Sequence, residues 1–269
     1  MRANTDRMLA MIDSAVAGAA PFLPVRLVVF PEFAHSAPVF ETAKELLEKL
    51  AIQIPNEHTE RLELKAREHD IYIQSGSMLE TDPKWPGCVF NTTCLIGREG
   101  ILYKYRKVNT WIPYEVHTSP HDLKGYDEPL FPVADTPIGR IGVAICYDWL
   151  FPEAMRQLAA NQGASLKHYP PYSWPGGSQV VDYDGRLLAE ASPGPGERIV
   201  VAPIDISALR HERASRRGHH MLSHLRTEAY PVYLRHQYPP KIGDERARLS
   251  YERNNQLIDE AKLRLEEYD

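Results

Sequence analysis

Apolar residues recur at helical spacing from Asn4 to Ala17, where Met8, Leu9, Ile12 and Val16 share one face. A near-continuous apolar run follows, Val25-Arg-Leu-Val-Val-Phe30, and predicts a strand buried on both faces that ends at Pro31-Glu32-Phe33. Two helices are predicted next, around 41–51 and 59–69. Strand patterns then cover 71–75, 89–96 and 101–105, with Gly97-Arg-Glu-Gly100 as a hairpin turn between the last two. Arg140-Ile-Gly-Val-Ala-Ile-Cys146 is the strongest buried-strand signal. Pro152 sits early in the helix predicted after it, where its missing N–H costs nothing. Strands are also predicted over 178–183 and 198–202, with Asp184-Gly185 as a turn after the first. The charged segment 244–268 carries Leu257, Ile258, Ala261 and Leu265 as one apolar stripe and is expected to dock as a helix.

Strands alternating with helices predict a layered α/β architecture. The 269 residues are 43% hydrophobic and 25% charged, enough to bury a sizeable core. The net charge of -5 leaves no broad basic surface for nucleic acid. Arg213, Arg216 and Arg217 beside His219 and His220 read as a solvated turn or a subunit contact. No apolar run approaches the roughly 20 residues of a membrane span, and the N-terminus shows no secretory pattern. Three cysteines, Cys88, Cys94 and Cys146, are too few and too odd in number for a disulfide framework. No histidine or cysteine spacing suits a metal. The expectation is a cytoplasmic protein with no metal and no cofactor.

Ionisable or nucleophilic groups stand at the ends of separate predicted strands. Cys146 ends one, and the Tyr147 N–H that follows is placed to meet an oxyanion. Glu32 ends another, and Lys107 a third. Along a regular strand Lys104 and Arg106 point away from Tyr103, Tyr105 and Lys107. Taken singly, Cys146 reads first as a small core residue and Lys107 as part of a basic face, while Glu32 reads equally as a carboxylate reaching solvent. If the strand ends converge, they supply a nucleophile, a general base and a cation. Trp111, Tyr114, Tyr147, Trp149 and Trp174 are aromatic candidates for lining a substrate pocket, with Tyr114, Tyr147 and Trp149 the preferred substrate-binding set.

Phe30-Pro-Glu-Phe33, Tyr103-Lys-Tyr-Arg-Lys107 and Val143-Ala-Ile-Cys-Tyr-Asp148 resemble, in order, the three signature segments of the nitrilase superfamily of carbon–nitrogen hydrolases. Val89-Phe-Asn-Thr-Thr93 and Pro152-Glu153 are also similar to that family, and the likeness covers most of 25–208. It implies an αββα sandwich and a triad of Glu32, Lys107 and Cys146. Lys104-Tyr-Arg-Lys-Val-Asn-Thr-Trp-Ile-Pro-Tyr-Glu115 is similar to the aliphatic amidase and formamidase branch, which implies a role for Glu115 as a second glutamate. The resemblance further implies a hydrolase domain over 1–235 with a C-terminal helical extension over 236–269. It also implies a homo-oligomer, a dimer or larger, in which that helix can swap between subunits.

The chain departs from the family pattern in two places. The family's first strand has no counterpart before the first helix. Near Ala159-Ala160 roughly fifty residues, the size of two βα units, are missing. The implied activity is amide hydrolysis through a cysteine thioester. Nitrile hydrolysis by the same triad is the first alternative. A non-catalytic assembly protein on a degenerate scaffold is the second.

Overall fold

The computed structural model describes residues 1–111, 114–158, 177–192, 197–215 and 250–266, with side chains up to 260 in the last segment. The 159–160 junction, Trp174 and its Trp174-Pro-Gly-Gly loop up to residue 176, and the Arg216, Arg217, His219 and His220 cluster lie outside the described residues.

Helix α1 (Arg2–Ala19) buries Met8 and Ile12, two members of its predicted face. Helix α2 (Ala43–Lys49) starts where the Thr42 side chain accepts from the Glu45 N–H. Helix α3 (Glu57–His69) starts at Asn56, whose Oδ1 accepts from the N–H groups of His58 and Thr59 at 2.9 and 3.1 Å. That bond set satisfies donors the first turn would otherwise leave orphaned.

Strands β1 (Leu27–Val29), β2 (Tyr72–Glu80), β3 (Phe90–Gly97) and β4 (Gly100–Arg106) form one sheet in the order β1-β2-β3-β4. The β1–β2 pair is parallel and the others antiparallel. Gly97 and Gly100 face each other across the predicted hairpin. The period-two alternation divides the side chains between two cores. Ile73, Cys94 and Ile96 pack with Met8, Ile12, Leu62 and Ala66 of α1 and α3. Leu95, Tyr103 and Tyr105 pack on the opposite face with Phe131, Ala134, Ile141 and Ile145. That second layer comes from the hairpin β5 (Val133–Thr136) and β6 (Gly139–Gly142). Helix α4 (Pro152–Arg156) follows, with Pro152 at its first turn. Farther on lie the hairpin β7 (Gln179–Val181) and β8 (Leu187–Glu190), α5 (Ile206–Ser215) and α6 (Tyr251–Glu266). Among the described residues, no helix is long and apolar enough to cross a membrane.

Three strand expectations are corrected. The run 25–30 has ladder partners over Leu27–Val29, at the edge of the sheet among the described residues, and it is not buried on both faces: Val29 is 64% exposed. The run 140–146 is not a continuous buried strand. Its ladder with β5 ends at Gly142, and side chains then take over the backbone bonds. The Trp149 Nε1–H donates to the Ala144 carbonyl at 3.1 Å, and the Ile145 N–H donates to Asp148 Oδ2 at 2.9 Å. Residues 198–202 lie outside any ladder of the described residues, with Ile199 and Val201 about half exposed.

Candidate active site

The Glu32 loop is held against an irregularity in β2. The β2–β3 register shifts between Gln74 and Ser77. Gly76 lies there at φ +68°, and a Cβ on it would stand 2.6 Å from the Pro31 carbonyl oxygen. Only glycine meets both demands without strain. Four hydrogen bonds then fix the loop to this stretch. The Phe30 N–H donates to the Gln74 carbonyl at 3.0 Å and the Ser77 N–H to the Pro31 carbonyl at 3.3 Å. The Phe33 N–H donates to Ser77 Oγ at 2.9 Å, and His35 Nε2 bonds the Ser75 carbonyl at 2.9 Å.

Lys107 sits just beyond β4, where its N–H still pairs with the Asn91 carbonyl at 2.9 Å. Its fully buried ammonium lies 2.8 Å from Glu32 Oε1 and 2.8 Å from Glu115 Oε1. Asn91 Nδ2 also donates to Glu32 Oε1 at 2.8 Å. Glu115 Oε2 accepts from the Trp111 N–H at 2.6 Å. Among the described residues, Glu32 Oε2 is buried with no nitrogen or oxygen partner, and the Cys146 thiol stands in hydrogen-bonding reach of the carboxyl group.

Cys146 opens the short 3-10 turn Cys146–Leu150 at φ +45°, an unusual conformation for a residue with a side chain. Buried Asp148 braces this turn. Its Oδ2 accepts from Tyr105 Oη at 2.6 Å as well as from the Ile145 N–H. Its Oδ1 accepts from the Asn109 N–H at 2.8 Å and from Asn109 Nδ2 at 3.0 Å. The end of β4 and the cysteine turn are therefore tied through one carboxylate. Cys146 is open to solvent on one side, and a cavity of about 200 Å³ is lined by Cys146, Glu32, Gly76, Thr93 and Trp149 among others. A larger one of about 440 Å³ lies between α3 and β4 and contains none of the candidate groups.

The electrostatics separate the two glutamates. Burial raises Glu32 above the ordinary carboxylate range, and the nearby Lys107 ammonium only partly offsets it. Burial also acts on Glu115, but Lys107 and the Trp111 N–H outweigh it and hold Glu115 below that range. Burial would lower Lys107, yet Glu115, Glu32 and Cys146 together raise it. The protein mass around Cys146 and the Glu32 carboxylate push its thiol up to about 12. The thiol thus rests protonated in hydrogen-bonding reach of the Glu32 carboxyl group. Two acids driven apart in this way fit different tasks, a proton carrier and a permanent anion.

The structure brings together Glu32, Lys107, Glu115 and Cys146. Trp149 joins the cavity wall. Tyr147 packs edge-on against Phe151 at 5.2 Å. Tyr114 is 59% exposed and packs between Trp111 and Tyr251, away from that cavity wall. Asn91, Gly76, Asp148 and His117 were not assigned roles from the sequence. A glycine inside a strand pattern is a recognisable bulge signal, and it marks Gly76. His117 is buried against Phe33, its ring Nδ1 without a hydrogen-bond partner among the described residues, and burial lowers it to about 4. Among the described residues, one group, Asp13, Glu68 and His69, has metal-ligand spacing, but the Lys65 ammonium already bridges Asp13 and Glu68.

A carbon–nitrogen hydrolase family model matches residues 2–174. A nitrilase of Pyrococcus abyssi (strain GE5 / Orsay) is 35% identical over 144 residues, which is 53% of this chain and 51% of that protein. An omega-amidase of Xenopus laevis is 32% identical over 186 residues, 64% of each. A formamidase of Bacillus cereus (strain Q1) is 32% identical over 168 residues, 61% of this chain and 47% of that one. The chain thus spans about half to two thirds of the length of these relatives. Two solved structures share the fold. Nit3 of Saccharomyces cerevisiae, a nitrilase-superfamily member, aligns at a TM-score of 0.63 and 23% identity, covering 85% of this chain and 91% of that one. An amidase from Nesterenkonia sp. AN1 aligns at 0.60 and 21% identity, covering 85% and 94%.

Proposed function

The chain belongs to the carbon–nitrogen hydrolase family, and on that premise we propose that it hydrolyses a small amide to a carboxylic acid and ammonia or an amine through a thioester on Cys146. The observation that carries this reading is the buried Glu32 carboxyl in hydrogen-bonding reach of the protonated Cys146 thiol, with its Oε1 clamped by Lys107 and Asn91.

The substrate carbonyl carbon meets Cys146 Sγ in the cavity. Glu32 Oε2 takes the thiol proton as the S–C bond forms. Lys107, which stays protonated, stabilises the tetrahedral oxyanion, aided by the Tyr147 N–H at the start of the turn. The C–N bond breaks, and Glu32 returns its proton to the leaving nitrogen. Water then attacks the thioester while Glu32 takes a proton from it. The S–C bond breaks, and the thiol regains that proton. Glu115 holds Lys107 in place with a charge that does not titrate in the working range.

The modest cavity volume favours a small acyl group. The similarity to an omega-amidase and a formamidase favours amides over nitriles. The Pyrococcus nitrilase relative keeps nitrile hydrolysis, through a thioimidate on the same sulfur, as the second reading. Ammonia release from paired amides and nitriles decides between them. Release from amides that disappears in Cys146→Ala is the expected result, and release that survives the substitution overturns the proposal. The proposed organisation is a hydrolase domain over 1–235 and a helical extension over 236–269, in a cytoplasmic homo-oligomer.

A further inference from the structure

Glu115 is held at four points. Its two carboxyl oxygens and its N–H bond to Lys107 and Trp111, close by in sequence. Its carbonyl accepts from Asn254 Nδ2 at 3.1 Å, a residue 139 positions away. Asn254 lies on α6, far beyond residue 174 where the family match ends.

The first turn of α6 is seated on the site's own supports. Ser250 bridges to Thr42, the cap of α2. The Tyr251 ring packs edge-on against Tyr114 at 5.7 Å and joins the core formed by Leu46, Leu79, Val89 and Val116. Asn254 and Leu257 are almost fully buried. A buried amide costs free energy unless its hydrogen bonds are made. The bond to the Glu115 carbonyl is one of those that satisfy the Asn254 amide, and it joins α6 to the Glu115 backbone.

We propose that Asn254 is a positioning residue for this site: its side-chain amide fixes the Glu115 backbone so that the carboxylate reaches Lys107, which makes α6 part of the active-site support. This rests on the hydrolase reading above. Around Glu115 stand the charged Lys107 and the neutral His117, and Lys107 passes the effect on to Glu32 and Cys146. The Glu115 charge helps to raise Glu32. Loosening Glu115 therefore moves the ionisation of Glu32 towards lower pH.

The test is a double-substitution cycle in the full chain with Asn254→Ala and Glu115→Gln. Asn254→Ala is expected to lower kcat roughly ten-fold or more with little change in KM, as displacement of a catalytic support does. It is also expected to move the acid limb of kcat/KM to lower pH, in the direction Glu115→Gln moves it. On the Glu115→Gln background it should add almost nothing. A folded Asn254→Ala enzyme with wild-type kcat and acid limb overturns the proposal, and so do fully additive losses. If that variant fails to fold, Asn254→Ser, whose hydroxyl is too short to span the bond, is read the same way. If the wild-type chain turns over no amide or nitrile, the hydrolase reading fails by itself. The same cycle is then read from the rate of Cys146 alkylation by iodoacetamide at fixed pH. Both single variants should raise it and the double variant no further, whereas no change or an additive change overturns the role of Asn254.

Discussion

Two buried charge clusters begin at adjacent residues. Arg106 turns to one side of the chain and Lys107 to the other. Arg106 meets Glu80, whose oxygens are both occupied: Oε1 by Lys104 and Arg106 Nη2, Oε2 by Thr92 Oγ1 and Arg106 Nε. Asp82 takes a further bond from Arg106, and the guanidinium lies 4.3 Å from the centre of the Phe90 ring. Lys107 meets two glutamates, and among the described residues one of them keeps an oxygen without a nitrogen or oxygen partner. Glu80 is held below the ordinary carboxylate range because its cation bonds outweigh burial, whereas Glu32 is raised because they do not. Burial of charge alone therefore does not mark a site. A carboxylate with both oxygens filled reads as structural, and on the proposed function a carboxyl that keeps one oxygen for a thiol is chemical.

The largest expected difference between the clusters is kinetic. Cys146→Ala and Glu32→Gln should each lower kcat at least roughly a thousand-fold while leaving urea unfolding close to that of the wild type. Arg106→Met should do the reverse. Stripping Glu80 of its fork costs about 3–5 kcal/mol in urea unfolding, with little change in kcat per folded molecule. A large kcat loss in Arg106→Met without destabilisation would erase the distinction between the two clusters.

Gly76→Ala sharpens the comparison from the backbone side. The added Cβ meets the Pro31 carbonyl in a conformation disfavoured for alanine, a strain of about 1–3 kcal/mol. Because that carbonyl precedes Glu32, kcat should fall with stability, which thermal unfolding and ammonia release measure together.

The pH dependence follows with its sign. The acid limb of kcat/KM should lie above the ordinary glutamate value of 4.5, since Glu32 must be ionised to take the thiol proton and its folded pKa is raised. For stability the carboxylates act oppositely. Glu80, lowered on folding, stabilises above the unfolded value and loses that contribution as pH falls through its depressed pKa. Glu32, raised on folding, favours the fold at low pH and loses that contribution as pH rises through its elevated pKa. His35 and His117, both lowered from 6.5 to about 4, act in the same direction as Glu80. Unfolding free energy should decline as pH drops from 6.5 towards 4, and His35→Gln should flatten part of that slope.

The helices, the sheet hairpin and the strand-end residues were legible because each depends on local pattern: one apolar face in α1, the glycines at 97 and 100, an ionisable group after an apolar run. Lys104 and Arg106 were separable from Tyr103 and Tyr105 by alternation alone, and the structure sends the first pair to Glu80 and the second into the hairpin core. The length of the cysteine strand was not legible. Trp149 and Asp148 replace its ladder with side-chain bonds, which no periodicity records. The exposure of Val29, and the absence of a ladder partner for 198–202 among the described residues, depend on which strands lie alongside them, a property of the whole sheet. The partnership of Asn254 with Glu115 spans 139 residues and leaves no local mark.

The central claim is that Cys146 carries the acyl group while Glu32 carries the proton. Quenched turnover of a small amide, followed by mass analysis of the Cys146 peptide, tests it most directly. An adduct with the mass of the acyl group on Cys146, lost together with ammonia release in Cys146→Ala, is the predicted result. Ammonia release that persists in Cys146→Ala would contradict it.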